Sequence, residues 1–162
     1  MTLFQNHPEE RLSSLGLRGL HQLKNLKCIP ETVKNKLTSL DISLCTGLHN
    51  YTDLFPGIPR NNENSNYCQF QGLKILKLGK LPNLRQIDLH NILKEHGSCL
   101  EELNLSDNGQ LDGGFISEIV SYCGGHMKIL DVKFSGFKTG FVAADFEVLV
   151  KESFGSGFVF VH

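Results

Sequence analysis

The stretch that decides the fold is LEELNLSDNGQL, which runs from Leu100 to Leu111. It follows the pattern L-x-x-L-x-L-x-x-N-x-x-L, and Asn108 occupies the asparagine position. Leu103 and Leu105 alternate with other residues, as expected of a short strand with one apolar face. A unit this short cannot bury that face alone, so it predicts similar units stacked on both sides.

The same template finds four further copies, which start at Leu12, Leu37, Leu73 and Met127. With the copy at Leu100, the successive starts are 25, 36, 27 and 27 residues apart. Three of these spacings lie in the range of about 20 to 29 residues that is typical of leucine-rich repeats. Five copies of one template are a far stronger signal than a single motif.

From about Leu12 to Val150 the chain resembles the leucine-rich-repeat superfamily. The resemblance implies an α/β solenoid of about five repeats. A curved parallel sheet would form its concave side, and helices or irregular returns its convex side. We expect a single such domain over residues 1–162, starting nearly inside a repeat and ending without a polar cap. The sequence therefore predicts a fragment of a larger protein or assembly.

Within the superfamily, the chain is most similar to the cysteine-containing subclass. Cys99, Leu103 and Leu105 echo the start of that repeat, and Ile116, Ile119 and Cys123 echo its helix. This subclass is common in substrate receptors of cullin-RING ubiquitin ligases, notably F-box leucine-rich-repeat proteins. The sequence contains no recognisable F-box, so an adaptor-binding part would have to lie outside it.

The asparagine position of such repeats bonds the backbone between coils. Asn108 and Cys45 fit this role, whereas Leu20, Leu81 and Ser135 do not. We therefore expect an incomplete polar ladder, with sequence divergence as its simplest explanation.

The segments between the template copies indicate helices. Leu89, Ile92, Leu93 and His96 share one helical face, with Gly97 as the terminator, and Phe115, Ile116, Ile119, Val120 and Cys123 share another. Asp112 is the predicted N-cap of the second helix, and Gly124-Gly125 its end. Phe146, Leu149 and Val150 predict a third helix. The first return contains Pro30 and predicts only a short or broken turn.

The 36-residue spacing requires about ten extra residues, and residues 55–71 are the natural place for them. Pro56, Pro59 and the polar run from Asn61 to Asn66 predict a loop. Such insertions often mark the binding face of a repeat protein, although a tolerated insertion without a role is the more economical interpretation. The final apolar run, Phe158 to Val161, does not match the template but could supply a sixth strand.

Composition and motifs exclude several function classes. The formal net charge is −1, from 16 basic and 17 acidic side chains, which does not favour nucleic-acid or anionic-membrane partners. Five cysteines without a C-x-x-C pair, and no secretory pattern at the start, favour a cytoplasmic or nuclear location. We find no nucleophile motif, phosphate loop or metal-ligand spacing. His90 and His96 are expected on different sides of a helix, so no catalytic, cofactor or metal site is predicted.

The remaining candidate surface is the concave face, where residues between the leucines point outward. The candidate protein-binding residues on it are Ser39, Asp41, Ser43, Lys77, Glu102, Asn104, Ser106, Asp131 and Lys133. Their mixed polar character suits protein recognition, but it also suits a merely solvated face.

The sequence therefore favours a non-catalytic protein-recognition scaffold, in its most specific form the substrate-binding part of a ubiquitin ligase complex. The alternative is a leucine-rich-repeat fragment of an innate-immune or signalling receptor. An enzyme is the class that the sequence favours least.

Overall fold

A computed structural model of the chain describes residues 12–54, 70, 72–112, 114–133, 135, 150, 152–155 and 157–161. The predicted insertion at residues 55–71 lies outside this part of the chain except for Phe70, and so do Phe146 and Leu149 of the last predicted helix. In the described part, no helix has both the length and the apolar character needed to cross a membrane.

The described strands form one open, all-parallel sheet in which they follow each other in sequence order. They are β1 (Ser14–Gly16), β2 (Ser39–Asp41), β3 (Ile75–Lys77), β4 (Glu102–Asn104), β5 (Ile129–Asp131) and β6 (Val159–Val161). In the first five strands, the central residue is the second apolar position of the template. These residues pair directly across the sheet: Leu15, Leu40, Leu76, Leu103 and Leu130.

The sixth strand comes from the final apolar run, as the sequence allowed, and adds to the five predicted repeats. Phe160 pairs with Leu130, and Val159 and Val161 flank it in the same parallel register. The template misses this strand because its apolar residues are aromatic and β-branched rather than leucine. Extending a ladder requires only extended backbone, and such residues favour that conformation.

Helices occupy several of the connections between strands. They are α1 (Glu31–Lys34), α2 (Gln86–His96) and α3 (Phe115–Cys123), and short 3₁₀ turns follow α2 and α3 at Gly97–Cys99 and Gly124–His126. The predicted apolar faces of α2 and α3 are confirmed, because their members are buried, apart from the partly exposed Val120. The first return is short, as predicted, and Pro30 precedes its single turn of helix.

The start of α3 differs from the prediction. Gly114, not Asp112, is the N-cap residue. The Asp112 carboxylate instead accepts hydrogen bonds from the Gly114 amide at 2.9 Å and from the Gln86 side chain at 3.1 Å. Asp112 therefore holds the turn before the helix and links it to the start of α2.

Gly97 ends α2, as predicted, but the reason is packing and not a left-handed backbone. Its φ angle is −52°, which any residue can adopt. A Cβ atom at this position would lie 2.7 Å from the Cβ of Tyr122 in α3. Glycine therefore permits the close approach of the turn after α2 to α3.

The core lies between the sheet and the returns. The three apolar positions of the L-x-x-L-x-L segment are buried in the second to fifth copies. They are Leu37, Leu40 and Ile42; Leu73, Leu76 and Leu78; Leu100, Leu103 and Leu105; and Met127, Leu130 and Val132. This alternation leaves the intervening residues on the opposite face of the sheet.

Side chains at the asparagine position of the template form a partial ladder of hydrogen bonds, in which each bonds a carbonyl oxygen of the preceding copy. The Asn108 amide donates to the carbonyl oxygens of Leu78 and Leu105, at 2.8 and 2.9 Å, and accepts from the Leu81 amide at 2.8 Å. The Cys45 thiol donates to the Leu17 carbonyl oxygen at 3.0 Å.

Ser135 corrects the predicted gap in this ladder. Its hydroxyl donates to the Leu105 carbonyl oxygen at 2.6 Å, although serine did not fit the expected residue type. A buried hydroxyl can satisfy one carbonyl, whereas the apolar side chains of Leu20 and Leu81 cannot. The ladder is therefore incomplete only at the two leucines among the five copies.

Candidate protein-binding surface

The sheet brings the nine predicted binding residues together in three rows. Ser39 and Glu102 lie in the first row, with Ile75 between them in register. The second row contains Asp41, Lys77, Asn104 and Asp131 as successive partners. Backbone hydrogen bonds just beyond the strands align the third row, which contains Ser43, Gly79, Ser106 and Lys133. We call the surface made by these three rows the polar face.

Eight of the nine candidates on the polar face are exposed or partly exposed, and Ser43 is buried with 4% of its surface accessible. Glu102 and Ser39 are half-buried, while Lys77 and Lys133 are exposed. The face carries both signs of charge. Because its strands are hydrogen-bonded to their neighbours, the backbone that carries these side chains is restricted in its movement.

Three of the candidates also have a local structural role. The side-chain oxygens of Asp41, Asn104 and Asp131 each accept a hydrogen bond from the amide two residues later. These contacts are turns of the Asx type, which stabilise the chain after β2, β4 and β5. Asn104 also donates to Asp131 across neighbouring strands at 2.7 Å.

A left-handed residue follows the third row in successive connections. Gly19, Leu44, Lys80 and Asp107 have φ angles of 77°, 63°, 54° and 58°. The amide of each donates to the carbonyl oxygen of the third-row residue in the next connection. This repeated turn fixes the direction in which Lys80 and Asp107 leave the backbone at the edge of the polar face.

A pocket of about 270 Å³ opens at this edge and contains four of the predicted residues. They are Ser43, Lys77, Asn104 and Ser106, and Arg18, Gly79 and Lys80 also line the pocket. Lys80 was not predicted from the sequence, because the position after the third row lies outside the alternation of the strand. The sequence shows the charge of Lys80. That Lys80 shares a pocket with Lys77 and Arg18 follows only from the parallel pairing of β1, β2 and β3.

An ion-pair cluster that was not predicted from the sequence lies at the amino-terminal ends of three neighbouring strands. Lys74 lies 2.7 Å from the Glu101 carboxylate, and Lys128 contacts the same carboxylate from the other side. Hydrogen bonds from Lys128 and Lys74 lower the pKa of Glu101 to about 2. The three residues occupy the same position in three copies, two residues before the central leucine, so their 27-residue spacing was the available signal.

Two histidines and two cysteines of the described part are engaged in packing or local contacts. The ring of His96 is buried against the Leu54 carbonyl, and burial lowers its pKa. His90 instead contacts Glu118 at 3.0 Å. Burial raises the pKa of the Cys45 thiol and raises that of Cys123 to about 12, which disfavours the nucleophilic thiolate form of both.

Potential metal ligands are also dispersed. Among residues 12–54, 72–112 and the other described segments, no three His, Cys, Asp or Glu side chains are grouped closely enough to hold a metal ion.

In comparisons with known proteins, no family model, curated protein or solved structure matches the chain.

Proposed function

We propose that the chain is a leucine-rich-repeat solenoid whose polar face recognises a protein partner without catalysing a reaction. The observation that carries this proposal is the register of the sheet, which stacks outward residues of successive strands in aligned rows. The central leucines of β2 to β5 are buried in the core. A rigid, regularly spaced set of polar side chains is suited to recognition of a protein surface.

The composition of the polar face favours recognition over reaction chemistry. The second row carries both signs of charge, and three of its residues form turns that fix the backbone. Preorganised side chains lose less freedom on binding, which improves affinity for a complementary surface. The partner would approach along the rows and so span several strands at once.

A narrower form of the proposal places the chain in a cullin-RING ubiquitin ligase as the part that recognises the substrate. Its support is the resemblance of Cys99, Leu103 and Leu105, together with Ile116, Ile119 and Cys123, to the cysteine-containing repeat subclass. Cys123 is buried on α3 and thus occupies a packing position.

Affinity purification with quantitative mass spectrometry tests the scaffold. The test variant carries Ser39→Arg and Glu102→Arg on the polar face. The matched control carries Ser121→Arg and Glu95→Arg on the helices, so both variants change the charge equally. We expect the polar-face variant to lose captured partners by about tenfold or more, because unmatched charges oppose binding, and the control to keep them.

Equal capture by both variants would show that the partner does not use the polar face. The ligase form has its own criterion: a cullin or a cullin adaptor must be present among the proteins captured by the full-length gene product. Capture of partners without either one would remove the ligase assignment and leave the scaffold.

A further inference from the structure

The pocket at the edge of the polar face has an unbalanced positive charge. Arg18, Lys77 and Lys80 line it, and Asp107 is the one carboxylate among its lining residues. Three cations against one carboxylate give the lining a net charge of +2. None of the three cations forms an ion pair with a described residue.

The neighbouring acidic side chains are directed to other partners. Asp41 is the strand neighbour of Lys77, but one of its oxygens accepts the Ser43 amide. Asp131 lies two strands further on and accepts from Asn104 and Lys133. The cations of the pocket are therefore only partly compensated by the acids of the polar face.

The floor of the pocket is shaped by Gly79. Its amide donates to the Ser43 hydroxyl oxygen at 3.2 Å. A Cβ atom at Gly79 would lie 2.9 Å from both the Asn104 side-chain oxygen and the Ser106 hydroxyl. A larger residue would push into these groups, so glycine keeps the space between the two serines open.

The pocket also offers a neutral donor. Ser43 accepts through its oxygen, and its hydroxyl hydrogen is not donated to any residue that the structure describes. Ser106, by contrast, already donates to Asn104 at 2.8 Å. A guest anion would thus meet a guanidinium, two ammonium groups and one hydroxyl within one small cavity.

We infer that this pocket binds a phosphorylated side chain of the protein partner that docks on the polar face. The charge of a phosphate monoester, about −1.5 to −2 near neutral pH, matches the net charge of the lining, and its three acceptor oxygens can use several donors at once. A carboxylate would use fewer of these groups. The inference rests on the proposed function, since it assumes a protein partner on this face.

Binding of degenerate peptide pools tests the inference. Three fluorescent pools differ only in a fixed central residue: phosphoserine, glutamate or serine. By anisotropy, the 162-residue chain should bind the phosphoserine pool at least about tenfold more tightly than the serine pool, the scale of one charge-assisted contact. The glutamate pool should fall between them.

Matched charge variants locate the site. Lys77→Gln with Lys80→Gln should remove the preference for phosphoserine. Lys24→Gln with Lys27→Gln removes two exposed lysines of the first return and should retain it. Amide resonances of Gly79 and Lys80 should shift with the phosphoserine pool and shift much less with inorganic phosphate at the same concentration.

Three results would overturn the inference: equal binding of the phosphoserine and serine pools, equal loss in both lysine variants, or equal shifts with inorganic phosphate alone. The proposed function has a separate criterion. A partner whose capture depends on Glu102 but not on Lys77 and Lys80 would leave the scaffold standing and reject the phosphate pocket. If the chain binds phosphoserine but captures no partner whose binding depends on Glu102, the proposed docking of a protein on the polar face would be rejected.

Discussion

At the scale of single residues, Asn108 has the highest number of polar contacts in the ladder. It is fully buried, and it satisfies two carbonyl oxygens and one amide hydrogen. The template predicted its position, because asparagine offers both a donor and an acceptor group. The role of Ser135 was not predicted, since one hydroxyl at a template position is indistinguishable in sequence from divergence.

Substitution of these two residues separates their contributions. Asn108→Ala leaves the Leu78 carbonyl and the Leu81 amide without these partners, while the Leu105 carbonyl keeps the Ser135 hydroxyl. It should lower the free energy of unfolding by about 2 kcal/mol or more. Ser135→Ala removes one of the two side-chain donors to the Leu105 carbonyl, which keeps the Asn108 amide, and should cost about 1 kcal/mol or less. Urea denaturation followed by circular dichroism measures both. Equal losses for the two variants would mean that the additional contacts of Asn108 contribute nothing.

At the scale of elements, strand positions were predictable and some of their surroundings were not. Apolar spacing identifies β1 to β5, because a residue that must face the core recurs at the same place in each copy. It does not identify β6, where Phe160 replaces the central leucine. The rows of the polar face follow from the same spacing. The pocket beside Gly79 depends on side-chain size and cross-strand distance, which alternation alone does not contain.

The buried face of β4 provides the test of the strand register. Leu103 is 1% exposed and pairs with Leu76 and Leu130. Leu103→Ala should therefore cost about 2 to 5 kcal/mol of unfolding free energy, through lost burial and a residual cavity. Glu102→Ala, on the outward side of the same strand, should change it by less than about 0.5 kcal/mol. A loss below about 1 kcal/mol for Leu103→Ala would contradict the inward register.

At the scale of the whole molecule, the described strands are arranged in the sheet in their order along the chain. Each strand pairs with the strands that precede and follow it along the chain. Interactions between neighbouring strands should therefore contribute to stability. Glu101 is such an interaction, because its carboxylate joins Lys74 before β3 to Lys128 before β5.

The acid response of the molecule tests this link between three strands. The pKa of Glu101 falls from 4.5 to about 2, so its contribution to stability is present above about pH 4.5 and is lost as the pH falls towards 2. Glu101→Gln should lower the midpoint of urea unfolding at pH 7, and its difference from the wild type should vanish near pH 2. Because the two lysines are exposed and Glu101 is partly exposed, high salt should shrink the difference at pH 7. In a background of Lys74→Gln and Lys128→Gln, Glu101→Gln should have little effect at either pH. A difference that persists in this background, or that is unchanged from pH 7 to pH 2, would show that the carboxylate does not act through the two lysines.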